Sequence, residues 1–359
     1  MLNFTVQRLF AQQIEGSQFT RPEEVVAWLG AVQAQDYLGA LWSLGMRMQK
    51  ATEKLVEQAF NDGVILRTHA IRPTWHFVTP ADIRWILQLS APRVITADAS
   101  RYRQLELDEA LFARSQELIA NALQGGRQLT RTELGSVLAQ AGILATGLRL
   151  IYILFRAELD AVICSGPRRG KQFTYTLLQE RAPQAMTLPR DEALAELARR
   201  YFTSRAPVTL QDFAWWSGLA AIDARAGLEG IKSQLVEEKI GGKSYWMPTH
   251  AIETRPSPPA AYLLPGYDEY LIAYRDRSAA LDSKYAGNVG RGNGLFSTIV
   301  IDGRVVGNWR RTVKKAAVII ELAPFAPLPA AEEEAVNAAI RRYGQFLGLP
   351  VETVLRENG

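Results

Sequence analysis

Three times along this chain a run of helical periodicity gives way to a short β-branched or aromatic stretch folded back on a turn. That recurrence predicts three small helical units, each closed by its own hairpin. The first begins with a helix over residues 6–14. Arg21-Pro22-Glu23-Glu24 opens another, with Thr20 as N-cap and Val25, Val26, Trp28, Leu29 and Val32 on its apolar side. Residues 65–78 read as a hairpin broken near Arg72-Pro73. A long helix over residues 80–103 leads to the second unit. There Thr130-Arg131-Thr132-Glu133 is a capping box, Gly142 is a stop, and residues 148–159 form a further helix. Residues 161–178 then read as strand, turn, strand, the turn being Gly166-Pro167-Arg168-Arg169-Gly170-Lys171. The third unit has helices over 191–203 and 220–231, a helix capped by Thr209 between them, and a hairpin over 236–247 turning at Gly241-Gly242.

A helical unit followed by a hairpin with cations at its tip is the pattern of a winged helix. The expected fold is therefore mainly α with β: three tandem winged helix-turn-helix units over residues 1–105, 106–188 and 189–255. Pro256, Pro258 and Pro259 read as a linker. Residues 256–359 change character, with Asp302-Gly303 between alternating runs as a hairpin signal and a helix over 331–346, and they predict a barrel-like β-rich module. The repetition is one of element order, not of residue identity.

Composition narrows the function classes. No segment approaches the ~18 consecutive apolar residues of a membrane span, and the N-terminal residues lack the regions of a signal peptide, so a cytoplasmic protein without membrane contact is expected. Cys164 is the only cysteine, which excludes an intrachain disulfide and a cysteine-based metal cage. There is no P-loop. Neither metal nor other cofactor is expected. The net charge of +4 is a weak pointer to nucleic acid. Its distribution says more: cations cluster at Arg168-Arg169-Gly170-Lys171 and at Arg310-Arg311-Thr312-Val313-Lys314-Lys315, while Glu332-Glu333-Glu334 lies apart.

Three further segments carry a resemblance. They are Ala31-Val32-Gln33-Ala34-Gln35-Asp36-Tyr37 with Leu41-Trp42-Ser43-Leu44-Gly45; Arg67-Thr68-His69-Ala70-Ile71-Arg72-Pro73-Thr74-Trp75-His76-Phe77-Val78; and Leu264-Pro265-Gly266-Tyr267-Asp268-Glu269-Tyr270-Leu271 with Val305-Val306-Gly307-Asn308-Trp309-Arg310-Arg311. Together they resemble the AlkZ/YcaQ family of bacterial DNA glycosylases over nearly the whole chain. The resemblance implies three winged helices around a concave DNA channel with a C-terminal β-barrel, and excision of alkylated purines, including unhooking of crosslinks. The AlkZ-like branch carries Gln-x-Gln where the YcaQ-like branch has Gln-x-Asp. Gln33-Ala34-Gln35 sides with the first, and by resemblance Gln33 and Gln35 are the catalytic pair.

The residues themselves leave alternatives open. Two positions apart on a continuing helix, Gln33 and Gln35 would face nearly opposite ways and be ordinary surface amides. They reach one site only if the helix ends or the backbone is extended there. An alkylated purine already carries positive charge and leaves readily, so amides that place a water and face an oxocarbenium-like sugar can suffice. Asp36 is the nearest carboxylate if a base is needed, or else a helix-end acid. Arg67, His69, Arg72 and His76 either face DNA or belong to a packed hairpin around Trp75. Arg168, Arg169 and Lys171 are either a solvated turn or a phosphate-binding wing. Trp309, Arg310, Arg311 and Lys314 combine packing with phosphate contact, and Trp215-Trp216 reads as core. The expected partner is double-stranded DNA containing alkylated purines, met by a monomer. A DNA-binding regulator without enzymatic activity and a protein-interaction scaffold are the competing readings.

Overall fold

The computed structural model describes residues 4–249, 259–292 and 294–356. Pro256 and Pro258 of the expected linker lie outside the described residues. The chain opens with α1 (Phe4–Ala11) and α2 (Pro22–Leu29), passes through the short strand β1 (Val32–Gln33), and continues with α3 (Tyr37–Gly45), α4 (Glu53–Asn61) and the hairpin β2 (Leu66–Ala70) and β3 (Thr74–Val78). β1 pairs with β3, giving an antiparallel sheet in the order β1-β3-β2. Next come α5 (Ile83–Ala97), α6 (Ala99–Gln104), α7 (Glu109–Leu123), β4 (Leu129–Thr130), α8 (Arg131–Gln140), α9 (Gly147–Leu159), β5 (Ile163–Ser165) and β6 (Thr174–Leu177), the strands ordered β4-β6-β5. A third set holds α10 (Leu178–Arg181), α11 (Arg190–Ser204), α12 (Leu210–Ser217), α13 (Ala221–Ile231) and the hairpin β7 (Leu235–Ile240) and β8 (Lys243–Pro248).

The last stretch contains β9 (Ala261–Leu264), α14 (Glu269–Ile272), β10 (Gly290–Arg291), β11 (Gly294–Leu295), β12 (Thr298–Ile301), β13 (Arg304–Val313), β14 (Val318–Pro324), α15 (Ala330–Leu347) and β15 (Val351–Leu355). Its main sheet runs β15-β14-β13-β12-β9, antiparallel except where β15 lies parallel to β14. The sheet is open. Where a barrel was expected, its two edges stay apart and α15 packs against β9 and β12. The fold is thus mixed, with helix predominant and strands gathered into small antiparallel sheets.

Local chemistry accounts for the boundaries. The Thr130 hydroxyl accepts from the Glu133 N–H and Glu133 accepts from Thr130 N–H, and Thr209 with Asp212 repeats that arrangement. α2 starts one residue later than expected: Arg21 is its N-cap, and Glu24 accepts the N–H groups of both Thr20 and Arg21 at 3.0 Å. The long helix over 80–103 breaks at Asp98 into α5 and α6. Asp302 and Gly303 both take positive φ, +48° and +78°, as a tight right-twisted hairpin requires.

Three main cores form. The first joins the beginning and end of the chain: Leu9, Val25, Leu41, Phe60 and Phe77 pack with Leu263, Ile299, Trp309, Ile340 and Phe346. The second sets Leu66, Ala70 and Val78 of the β2–β3 hairpin against Trp85, Leu197, Tyr201, Trp216 and Tyr274. The third, around Phe112, Ile119, Leu134, Leu138 and Ile153, belongs to the middle unit. Trp216 is fully buried but Trp215 is half exposed, because consecutive helical residues point about 100° apart. Two buried ion pairs tie the last segment to the others, one to the first segment and one to the end of α11. Arg47 meets Asp268 at 2.9 Å and Arg205 meets Glu269 at 2.6 Å, all four side chains shut away from solvent.

Candidate active site

The Gln-x-Gln segment is set by how α2 stops. Gly30 takes φ +76°, a left-handed value that a side chain resists, and the chain leaves the helix extended. Val32, expected on the helix's apolar side, is instead in β1. Val32 pairs with Phe77, Gln33 pairs with His76, and the Ala34 N–H continues the ladder to the Trp75 carbonyl at 2.7 Å. β1 ends at Gln33 and Gln35 follows in a bend, so the two glutamines leave non-helical backbone beside the hairpin instead of two sides of a helix. They differ in depth: Gln33 is buried and Gln35 exposed.

Both amides are oriented by donors. The Gln33 carbonyl Oε1 accepts from Arg72 Nη2 at 3.0 Å, and Gln35 Oε1 accepts from the Trp75 N–H at 3.4 Å. Each amide therefore turns its carbonyl toward the hairpin and keeps its NH₂ for another acceptor. The Gln33 backbone N–H donates to Glu269 Oε1 at 3.1 Å. The other oxygen of Glu269 takes Arg205 Nη2 at 2.6 Å and the Trp216 indole N–H at 2.9 Å. Glu269 and Arg205 were missed as supports of the site. A carboxylate within Tyr267-Asp268-Glu269-Tyr270-Leu271-Ile272 was the available sign, since an acid in so apolar a run has to be paired.

The hairpin cations and histidines are mostly interior. Arg67 donates from Nε and Nη2 to the Ala34 carbonyl and lies over the Trp75 and Phe173 rings, 3.9 and 4.5 Å from their centroids. Burial lowers its pKa to about 10. The His69 ring lies tilted against Trp75, centroids 3.8 Å apart, and meets the buried Glu158 carboxyl at 2.5 Å. Burial pushes the Glu158 pKa up, against the opposing pull of His69. His76 is wholly buried, with Nδ1 bonded to the Thr74 carbonyl at 2.9 Å.

Asp36 is the N-cap residue of α3 and is exposed. It borders a cleft of about 580 Å³ lined also by Tyr267, Asn308, Arg310, Arg311 and Arg356. Arg311 lies 4.0 Å from Asp36 and donates to the Tyr343 hydroxyl at 2.7 Å. Trp309 is buried, its indole N–H on the Leu264 carbonyl, whereas Arg310 and Lys314 are exposed. At the Arg168-Arg169-Gly170-Lys171 turn, Arg168 pairs with Glu57 and Arg169 with Glu133, each at 2.7 Å. Lys171 is exposed with no ion-pair partner among the described residues. The structure thus brings Gln33 together with Arg72 and His76, and Gln35 to the Trp75 N–H, while Asp36 borders the cleft lined by Arg310 and Arg311, and the cluster at 168–171 lies on the turn between β5 and β6.

Comparison with known proteins places this arrangement. A curated interstrand DNA cross-link repair glycosylase of Streptomyces sahachiroi is 27% identical over 367 residues, covering 97% of each chain. The solved structure of Streptomyces sahachiroi DNA glycosylase AlkZ shares the fold, with a TM-score of 0.81 at 24% identity over 98% of each chain. The family model for DNA glycosylase AlkZ-like proteins matches residues 26–346. The chain therefore belongs to the AlkZ-like DNA glycosylase family and is a DNA glycosylase.

Proposed function

We propose that this glycosylase hydrolyses the N-glycosidic bond of N7- or N3-alkylated purines in double-stranded DNA, including bulky adducts and interstrand crosslinks, with a water placed by Gln33 and Gln35. What supports the reading is the extended backbone at Val32–Gln33, which carries both glutamines out of the helix beside the β2–β3 hairpin, where Arg72 and the Trp75 N–H each hold one amide oxygen. The water oxygen bonds to C1′ as the C1′–N bond breaks. The bonding pair passes to the purine and neutralises its charge, so no acid is needed at the leaving group. One water proton is lost to solvent or to Asp36. With one lone pair of each amide oxygen taken by Arg72 or by the Trp75 N–H, the second is left to accept from the water and to face the developing positive charge of the sugar. We read the three helix-and-hairpin groups as winged-helix units that carry the duplex, with Lys171, Arg310 and Lys314 free for phosphate. The protein acts as a cytoplasmic monomer on this reading. The relative named for cross-link repair supports the bulky end of the substrate range.

The test is excision from duplexes bearing N7-methylguanine or a nitrogen-mustard crosslink, with alkali revealing abasic sites. Gln33→Ala and Gln35→Ala should each slow excision by roughly 10-fold or more with DNA affinity retained. Gln35→Asp, which copies the other branch of the family, should keep more activity than Gln35→Ala. Parental rates in both alanine variants would overturn the assignment and make Asp36 the next residue to test.

A further inference from the structure

The face of the β1-β3-β2 sheet that carries Gln33 also carries a row of buried polar atoms without partners. Gln33 pairs with His76 across β1 and β3, and His76 pairs with Thr68 across β3 and β2. Directly opposed residues on an antiparallel sheet share a face with Cβ atoms about 5 Å apart. Thr74 lies on the same face two residues before His76, and Arg72 reaches in from the turn to bond Gln33. In this group His76 Nε2, Thr68 Oγ1, Thr74 Oγ1 and Arg72 Nε are all buried with no hydrogen-bond partner. His76 and Thr68 are themselves completely inaccessible.

The histidine's tautomer follows from its other nitrogen. Nδ1 faces the Thr74 carbonyl and must carry the proton, so Nε2 presents a lone pair. An acceptor nitrogen, a hydroxyl and a guanidinium N–H thus lie unpartnered beside the face that sends Leu66, Ala70 and Val78 into an apolar core. Leaving such groups dry is costly, and buried polar groups of this kind are met by internal water making two to four hydrogen bonds. The turn is closed over by α12: a Cβ added at Gly218 would lie 3.0 Å from the Ile71 carbonyl and 3.4 Å from Arg72 Cγ.

We propose that Thr68 and His76 hold a buried water behind Gln33, and that this water fixes the Gln33 amide for catalysis. The water donates to His76 Nε2, accepts from the Gln33 NH₂ and meets the Thr68 hydroxyl as donor or acceptor. Thr68 and His76 are then positioning residues, acting through water on an amide whose carbonyl is already held by Arg72. This rests on Gln33 being catalytic.

Thr68→Val tests it, because valine keeps the shape and removes only the hydroxyl. Should the pocket be dry, deleting an orphan hydroxyl raises Tm; should it hold water, deleting a partner lowers Tm, by about 2 °C. A lower Tm is expected. Single-turnover excision by Thr68→Val should slow roughly 5-fold with KM for methylated duplex unchanged, and Thr68→Ser should restore the rate. A higher Tm would overturn the water site. A parental excision rate in Thr68→Val beside a slowed Gln33→Ala would overturn the positioning role alone. A parental rate in Gln33→Ala would instead sink the glutamine reading, and the positioning role with it.

Discussion

His76 lies in the interior as a neutral ring, with its pKa brought down to about 3 by burial and then by the charge of Arg72, with smaller effects from His69 and Arg205. In the unfolded chain the same ring titrates near its ordinary value of about 6.5. Between those values the unfolded state holds a proton that the folded state refuses. The stability His76 contributes is thus complete above about pH 6.5 and falls as pH drops toward 3. Urea unfolding of the parent and of His76→Phe should therefore diverge below pH 6.5, the parent losing up to about 1.4 kcal/mol more per pH unit. Parallel curves from pH 7 to 4 would show that the ring charges inside the fold. At this scale the sequence was legible in residue type but not in depth. The spacing of Gln33 and Gln35 raised the helix-or-strand question correctly. Gly30 was a local stop signal of the same kind as Gly142 and went unread, whereas nothing local could show that Glu269, 236 positions away, would receive the Gln33 N–H.

Elements were easier to read than their pairings. Capping boxes at Thr130 and Thr209, the Asp302-Gly303 turn and the hairpin broken at Arg72-Pro73 all depend on neighbours in sequence, and each stands within a residue or two of its expected place. The addition of β1 to β3 depends on a contact more than 40 residues away and was invisible. The cationic turn between β5 and β6 divides by role in a way that charge alone does not give. Arg168 is tied to Glu57 and lies 4.9 Å from the Tyr37 ring centroid, and Arg169 is tied to Glu133. Lys171→Ala should lower the slope of log affinity against log salt by about one, equally for damaged and undamaged duplexes. Arg168→Ala should chiefly cost stability, about 1 kcal/mol in urea unfolding. A salt slope unchanged in Lys171→Ala would remove the turn from the DNA interface.

Across the whole molecule, the seam between first and last segments is where stability is most exposed to a single change. Glu269 accepts from Arg205, Trp216 and the Gln33 backbone in a site closed to water. Arg205→Met would leave that carboxylate buried without its cation, and should cost about 3–5 kcal/mol. Equilibrium unfolding measures this, and an unchanged midpoint would overturn it. Hydrolysis by a water that two amides position asks nothing of a metal. Excision should accordingly persist in EDTA; loss restored by added metal would refute a reaction run by amides and water alone.

The first core has a further consequence for how the protein is made. Leu9, Val25, Phe60 and Phe77 leave the ribosome early, yet the surface they bury against is supplied by residues as late as Ile340 and Phe346. At a synthesis rate of about 5–20 residues per second, the early apolar faces wait on the order of 10–60 s for their partners. The middle core around Phe112, Ile119 and Ile153 has no such delay, since its members arrive within one stretch of chain. Nascent chains halted shortly after that stretch should show a protease-resistant middle and a cleavable beginning, which makes the segment bearing the two glutamines one of the last to take its final shape.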